Sequence, residues 1–565
     1  MKIIIKSLFT FLLGLFLFTN SFILNAQTYA KNGMVVTASK IASQTGVNIL
    51  KQGGNAVDAA IATAFALAVT HPTAGNIGGG GFMVFMNSEG KTTTIDFREK
   101  APLASSETMF LDENGNIKED SNHKGLLAVG VPGTVAGLYL AHQKYGTLPW
   151  KDLVQPAIHL AENGFEFNWT LYREALYFNS IAEEYPFMAI FFNNEEGDIS
   201  QPGDTWKQPA LANTLKQIRD HGRDGFYKGE VAKTIANYMK ANGGIITTED
   251  LKEYDAIERE PIKGTYKGFD IYGMPPPSSG GVALIEMMNL MELVDWDTIE
   301  FNSTEYVHIL TEAMRRAFAD RAEFLGDPDF NLDMPLDRLT SKEFAKNRFD
   351  NINMERASLS DSTKFGQIYD GKNTTHLSVI DKDGNAVSLT YTLENWYGVK
   401  MGSKELGFIF NNEMGDFNPV PGVTTSGWQI GTKPNLVAPQ KRMLSSMTPT
   451  IVAKDGKPYL IIGSPGGRTI INTVFQTTLN VLEFNMPINK AIEVMKIHHQ
   501  WSPDVLDYEI DLMSPDTRKA LESMGHTLQA SSGLGALMGI TLNPENKIIT
   551  GAADSSRPEG AAVGY

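Results

Sequence analysis

Apolar residues recur at helical intervals from 41 to 69 (IASQTGVNILKQGGNAVDAAIATAFALAV), and Gly53-Gly54 divides the run into two helices, the second Ala-rich and suited to burial. Four glycines, Gly78 to Gly81, then lead into the continuous apolar run 82–86, which predicts a loop entering a buried strand. Close packing alone could account for those glycines. A second strand is predicted over 93–98, ending in Arg98. From about 135 to 344, amphipathic helical stretches alternate with polar loops, punctuated by the Pro/Gly cluster 275–281. After 375 the texture changes to short β-rich runs at 377–380, 386–393, 407–410 and 459–463, with helical stretches at 474–482 and 488–497. Helices covering sheets place the chain in the α+β class. The polar segment 358–373, at the change of texture, reads as an exposed linker.

Composition narrows the functional classes. A chain of 565 residues with 42% hydrophobic content can bury a large core, and a net charge of −16 without a basic block argues against nucleic acid. Cysteine is absent, which removes disulfides, thiol catalysis and Cys-based metal sites. Ten His and no HExxH leave a catalytic zinc only scattered ligands. Residues 1–26 read as a secretory signal: Lys2 and Lys6, an apolar run over 8–18, then Asn25-Ala26. The rival reading is an uncleaved anchor, which Thr19, Asn20 and Ser21 interrupt. The expected product is secreted or periplasmic, with no stable membrane insertion.

Residues 366–372 match the spacing of a phosphate-binding loop, but Asn373 stands where Ser or Thr should bind the metal. From Thr375 onward the chain alternates like a strand instead of opening a helix, so the nucleotide reading is rejected. Residues 375–380 and 386–393 flank Asp381-Lys382-Asp383-Gly384-Asn385, a strong turn signal, and a hairpin centred on Asp383 pairs Thr374 with Thr392, His376 with Thr390 and Ser378 with Ser388. The other parity pairs Thr375 with Tyr391, Leu377 with Leu389 and Val379 with Val387, giving one mainly apolar face; a bulge would shift these partners by one. Thr374 therefore begins a strand directly after an exposed linker. Cleavage of Asn373–Thr374 would give it a hydroxyl and a free α-amine, whose ordinary pKa of about 7.7–8.0 suits a general base. Taken alone, Thr374-Thr375 could equally be the start of an ordinary strand.

The segment Asn373-Thr374-Thr375-His376-Leu377-Ser378 resembles the processing site of the γ-glutamyltransferase family of N-terminal nucleophile hydrolases. Ile95-Asp96-Phe97-Arg98-Glu99, the 78–82 loop, Asn411-Asn412-Glu413-Met414, Leu444-Ser445-Ser446-Met447, Gly463-Ser464-Pro465-Gly466-Gly467 and His498-His499-Gln500-Trp501 all fall in the family's order. The resemblance implies a four-layer αββα sandwich, with a signal peptide 1–26, a large subunit 27–373 and a small subunit 374–565. It implies attack by Thr374 on the γ-glutamyl amide of glutathione or a similar compound, resolved by water or by an amino-acid or dipeptide amine, with no cofactor or metal.

Further roles are carried over residue by residue. Arg98, Ser445 and Ser446 would bind the substrate α-carboxylate, Asp416 the α-ammonium, Gly466 and Gly467 the oxyanion, and Thr392 would hydrogen-bond near the nucleophile. Thr375 and His376 would orient the new terminus. Glu394 stands where many relatives carry Asn and Glu413 where some have Gln, so with Asp416 three acids would crowd the α-ammonium unless one is protonated or points away. Residues 419–433, with Trp428, occupy the lid-loop region. Two alternatives are a relative acting on cephalosporin side chains or polyglutamate, and an unprocessed binding protein.

Overall fold

The computed structural model describes residues 27–194, 196–360, 374–422, 431–510 and 512–565. The signal segment, the Asn373 side of the expected cleavage bond, most of the 358–373 linker and Trp428 lie outside them.

The hairpin forms in the register that alternation and turn chemistry dictate: Thr374 lies opposite Thr392, His376 opposite Thr390 and Ser378 opposite Ser388, without a bulge. Its turn is closed by the Asp381 carboxylate, which accepts the N–H groups of Asp383 and Asn385 at 3.0 and 2.9 Å, while Gly384 takes φ +88°. Both faces are buried. Leu377, Val379, Val387, Leu389 and Tyr391 pack with the helix Ala56–Thr70. The polar face turns to a second sheet, where Ser378 Oγ donates to the Ile461 and Met538 carbonyls at 3.3 and 3.2 Å and Ser388 Oγ to Ile462 at 3.0 Å. Short hydroxyls thus satisfy themselves on main-chain oxygens inside the sandwich.

The hairpin is the middle of a seven-stranded sheet ordered Ala561–Gly564, Met34–Thr37, Thr374–Ile380, Ala386–Thr392, Gly80–Met86, Thr92–Phe97 and Ile257–Arg259. The facing seven-stranded sheet runs Thr28–Ala30, Ile549–Ala553, Met538–Leu542, Lys457–Gly463, Thr450–Lys454, Phe269–Gly273 and Ile262–Tyr266. Met34, Val36, Val84, Ile451, Ile461 and Ile540 fill the space between them. Ala56–Thr70, capped by reciprocal Asn55 and Asp58 bonds, covers the first sheet, and Gly280–Met291 and Thr469–Leu482 cover the second. This is the αββα sandwich. Each sheet interleaves strands from both sides of residue 374, so a chain cut there would remain one body.

Three expectations need correction. The stretch 135–344 also contains the strands Ile257–Arg259 and Ile262–Tyr266, at sheet edges, and Phe269–Gly273, next to one; many of their residues are part-exposed and carry little apolar alternation. Residues 407–410 form a loop held by the single bridge Gly402–Ile409. The helix expected over 488–497 ends at Glu493, and Ile497–His498 is a short strand. Among the described residues, no helix is long and apolar enough to cross a membrane.

Candidate active site

Thr374 opens its strand and donates its hydroxyl to Thr392 Oγ1 at 3.3 Å. Thr392 Oγ1 also accepts the Glu394 N–H at 2.8 Å, and its carbonyl accepts from Asn76 Nδ2 at 2.9 Å. Asn76 Oδ1 in turn accepts from the Gly79 N–H at 2.9 Å and Thr134 Oγ1 at 2.8 Å. A Cβ on Gly79 would collide with the Thr392 carbonyl, so close packing accounts for that glycine. The residue facing Thr374 is thereby held through both its side chain and its main chain.

Thr374 shares a cavity with Arg98, Glu394, Glu413, Asp416, Ser445, Ser446 and Gly467. Its free volume, about 20 Å³, is no more than a water requires. Gly467 takes φ +57° just before the helix Thr469–Leu482, whose positive end favours an anionic oxygen, and among the described residues its N–H has no acceptor. Gly466, next to it, lines a neighbouring cavity of about 430 Å³. His376 is engaged elsewhere, bonding Thr390 Oγ1 at 2.8 Å and Ser378 Oγ at 3.0 Å. Burial lowers its pKa to about 3, and it ties the hairpin together as a neutral ring.

Arg98, also lining this cavity, is fully buried just past the strand Thr92–Phe97. Its Nη1 donates to Glu413, its Nη2 to Asp416 and its Nε to the Met443 carbonyl at 3.2 Å, with Glu99 Oε2 at 3.6 Å from Nη1. Burial opposes the charge of Arg98, but Glu413, Asp416 and Glu99 outweigh it and raise the guanidinium pKa further. Burial also pushes Glu413 well above the usual carboxylate range despite Arg98, with Glu99, Asp416 and Glu394 adding to the rise. Glu99 rises to about 7 by burial, against the pull of Arg98. Burial thus favours a proton on the Glu413 and Glu99 side of the cluster, while the Asp416 side chain, 23% exposed and paired with Arg98, lines the cavity.

Glu394 adopts φ +74°, a region Asn tolerates better, and accepts from Asn395 Nδ2 at 2.6 Å with Oε1 3.5 Å from His123 Nδ1. Burial raises the Glu394 carboxyl. Burial alone would depress the His123 imidazole, but Glu394 beside it holds it above the usual histidine value. Replacing Glu394 by Asn should therefore drop the His123 pKa below 6.5 without loss of folding stability. NMR titration of the His123 ring checks this, and an unmoved midpoint would refute the pairing.

No role was legible in the sequence for Glu99, His123 or Arg321, which donates to Ser279 Oγ and Ser446 Oγ at 2.8 and 3.2 Å. Adjacency to Arg98 was the available signal for Glu99; His123 and Arg321 had none. The described residues also gather His308, Glu312 and His526. Glu312 there is already paired with Arg316 at 2.6 Å and Arg315 at 3.4 Å, and the two imidazoles bond each other at 2.8 Å, so the cluster opposes a cation and braces the segment ahead of residue 361.

The family model described as Gamma-glutamyltranspeptidase matches residues 42–564. The glutathione hydrolase proenzyme of Escherichia coli (strain K12) is 45% identical over 540 residues, covering 95% of this chain and 92% of its own. Among solved structures, a cephalosporin acylase from Bacillus halodurans superposes with a TM-score of 0.82 at 26% identity over 95% of this chain and 97% of its own. A Helicobacter pylori gamma-glutamyltranspeptidase chain gives 0.55 at 44% identity over 56% of this chain and 91% of its own.

Proposed function

The chain belongs to the gamma-glutamyltranspeptidase family and is a glutathione hydrolase and γ-glutamyltransferase; from that premise we propose that Thr374 is its nucleophile, freed when an exported precursor cuts itself at Asn373–Thr374. Residues 1–26 direct export to the periplasm or the exterior, 27–373 become the large subunit and 374–565 the small one. The observation that carries this reading is one cavity lined by Thr374 together with Arg98 and Asp416.

The new α-amine of Thr374 takes the proton of its own hydroxyl as Oγ1 attacks the γ-carbonyl carbon. Negative charge developing on the carbonyl oxygen meets the Gly467 N–H and the positive helix end. As the C–N bond breaks, the proton passes to the leaving amine and an ester on Oγ1 remains. Water releases glutamate from that ester, and an amino acid or dipeptide amine takes the γ-glutamyl group instead. Thr392, itself fixed by Asn76, holds the attacking oxygen in place.

The head group enters by exchange. Arg98 Nη2 and Asp416 already form an ion pair in the cramped cavity. A γ-glutamyl substrate brings one carboxylate and one ammonium, so that pair opens into two: carboxylate on Arg98, ammonium on Asp416, with no net change in buried charge. An acyl chain lacking the ammonium breaks the pair without replacing it, which disfavours the cephalosporin reading suggested by the Bacillus halodurans acylase.

The test is release of p-nitroaniline from γ-glutamyl-p-nitroanilide by the cleaved protein. Release should occur in water alone and accelerate with glycylglycine, which captures the acyl group. A cleaved protein that releases none would overturn the proposal.

A further inference from the structure

Arg98 offers the α-carboxylate little more than the Nη2 that Asp416 releases, because its Nε and Nη1 stay committed to Met443 and Glu413. A second buried guanidinium backs the two serines. Arg321, on the helix Thr304–Phe324, is 5% exposed and donates Nε to Ser279 Oγ at 2.8 Å and Nη2 to Ser446 Oγ at 3.2 Å. Among the described residues it pairs with no carboxylate; Asp416 acts on it only at a distance. Two neutral hydroxyls are poor compensation for the water a guanidinium gives up, and among the described residues Arg321 has no anionic partner of its own in direct contact.

The hydroxyl protons show where a carboxylate would sit. A hydroxyl has one proton to give, and Ser446 Oγ, already accepting from Arg321, has among the described residues no acceptor for its own. Ser445 is in the same state, its Oγ accepting the Met447 N–H at 3.1 Å. Both serines line the cavity that holds Thr374, so two unspent O–H donors converge there with a cation behind them. Ser279, the other partner of Arg321, donates its hydroxyl to the Ser445 carbonyl at 2.6 Å and so fixes the backbone that carries the pair.

We propose that Arg321 is a positioning residue of the substrate α-carboxylate site: by donating to Ser446 it turns that hydroxyl toward the ligand, and it places a second buried positive charge behind it. This rests on the γ-glutamyl reading above. It assigns Arg321 to recognition of the head group and gives it no part in proton transfer at Thr374.

The experiment uses the cleaved enzyme with Arg321→Met, Arg321→Lys, Ser446→Ala and the Arg321→Met/Ser446→Ala double variant. For γ-glutamyl-p-nitroanilide, Arg321→Met should raise KM by about ten- to a hundredfold, the scale of a hydrogen bond to a charged group, with kcat within a few-fold. Arg321→Lys, keeping the charge but one donor point, should recover part of the loss. The double variant should lose less than the product of the two single losses, because Arg321 acts through Ser446. Discrimination between this donor and its α-carboxamide counterpart, read as a ratio of kcat/KM, should fall at least tenfold. A loss confined to kcat, a loss shared equally by both donors, or multiplicative single losses would overturn the proposal. Should Arg321→Met not accumulate, Arg321→Lys and its double variant with Ser446→Ala carry the same comparisons. An inactive wild type would refute the γ-glutamyl reading; an active wild type with an unaffected Arg321 variant would refute only this inference.

Discussion

Thr374→Ala leaves the precursor uncut and lowers γ-glutamyl hydrolysis by about 10⁵-fold or more, the scale seen when a catalytic nucleophile is removed. Two losses combine: without the hydroxyl there is no internal attack on the Asn373 carbonyl, so the α-amine that would serve as base is never released. The fold survives, because the methyl of Ala fits where Thr374 stands and the hydroxyl gives only a 3.3 Å bond to Thr392. Thr374→Ser retains the oxygen and should be cut, more slowly, since the lost methyl leaves the hydroxyl freer to rotate. Electrophoresis under denaturing conditions checks both, and normal cleavage of the Ala variant would contradict the assignment.

Arg98→Met is expected to have the second largest effect, on folding and on binding together. Removing the guanidinium leaves Glu99, Glu413 and Asp416 without the cation they share, at a cost of about 3–5 kcal/mol for a broken buried pair. The donor KM should rise by about a hundredfold or more, since an ion-paired carboxylate contact is lost outright. The pH dependence carries its own signature. Glu99 titrates at about 7 in the folded protein, above its unfolded value, so the stability it contributes is present at acid pH and lost as pH rises through 7. Arg98 is the largest of the influences that hold Glu99 down. Arg98→Met should therefore move that loss to higher pH, with the remaining acids taking up protons. Urea unfolding between pH 5 and 9 would show it, and an unchanged pH profile would mean that the acids do not share Arg98.

The hairpin at the heart of the site was legible in residues alone, because Asp383-Gly384 marks the turn and alternation then pairs Thr374 with Thr392, while the absence of a bulge was visible only in the structure. The edge strands between 257 and 273 were not, since partial exposure removes the apolar alternation that marks a strand. Arg98, Glu413 and Asp416 meet across more than 300 residues of chain, a convergence that no spacing rule reads and that only resemblance to a family supplied. Resemblance did not supply every detail. It left Arg321 unseen, because a polar residue on a long amphipathic helix reads as solvated until the serines it touches are known.

The identity of the new amino terminus decides whether Thr374 is the nucleophile. N-terminal sequencing of the bands from the purified exported protein should give two fragments, the smaller beginning Thr-Thr-His-Leu-Ser. A single uncut band, or a smaller fragment beginning at any other residue, would contradict that assignment.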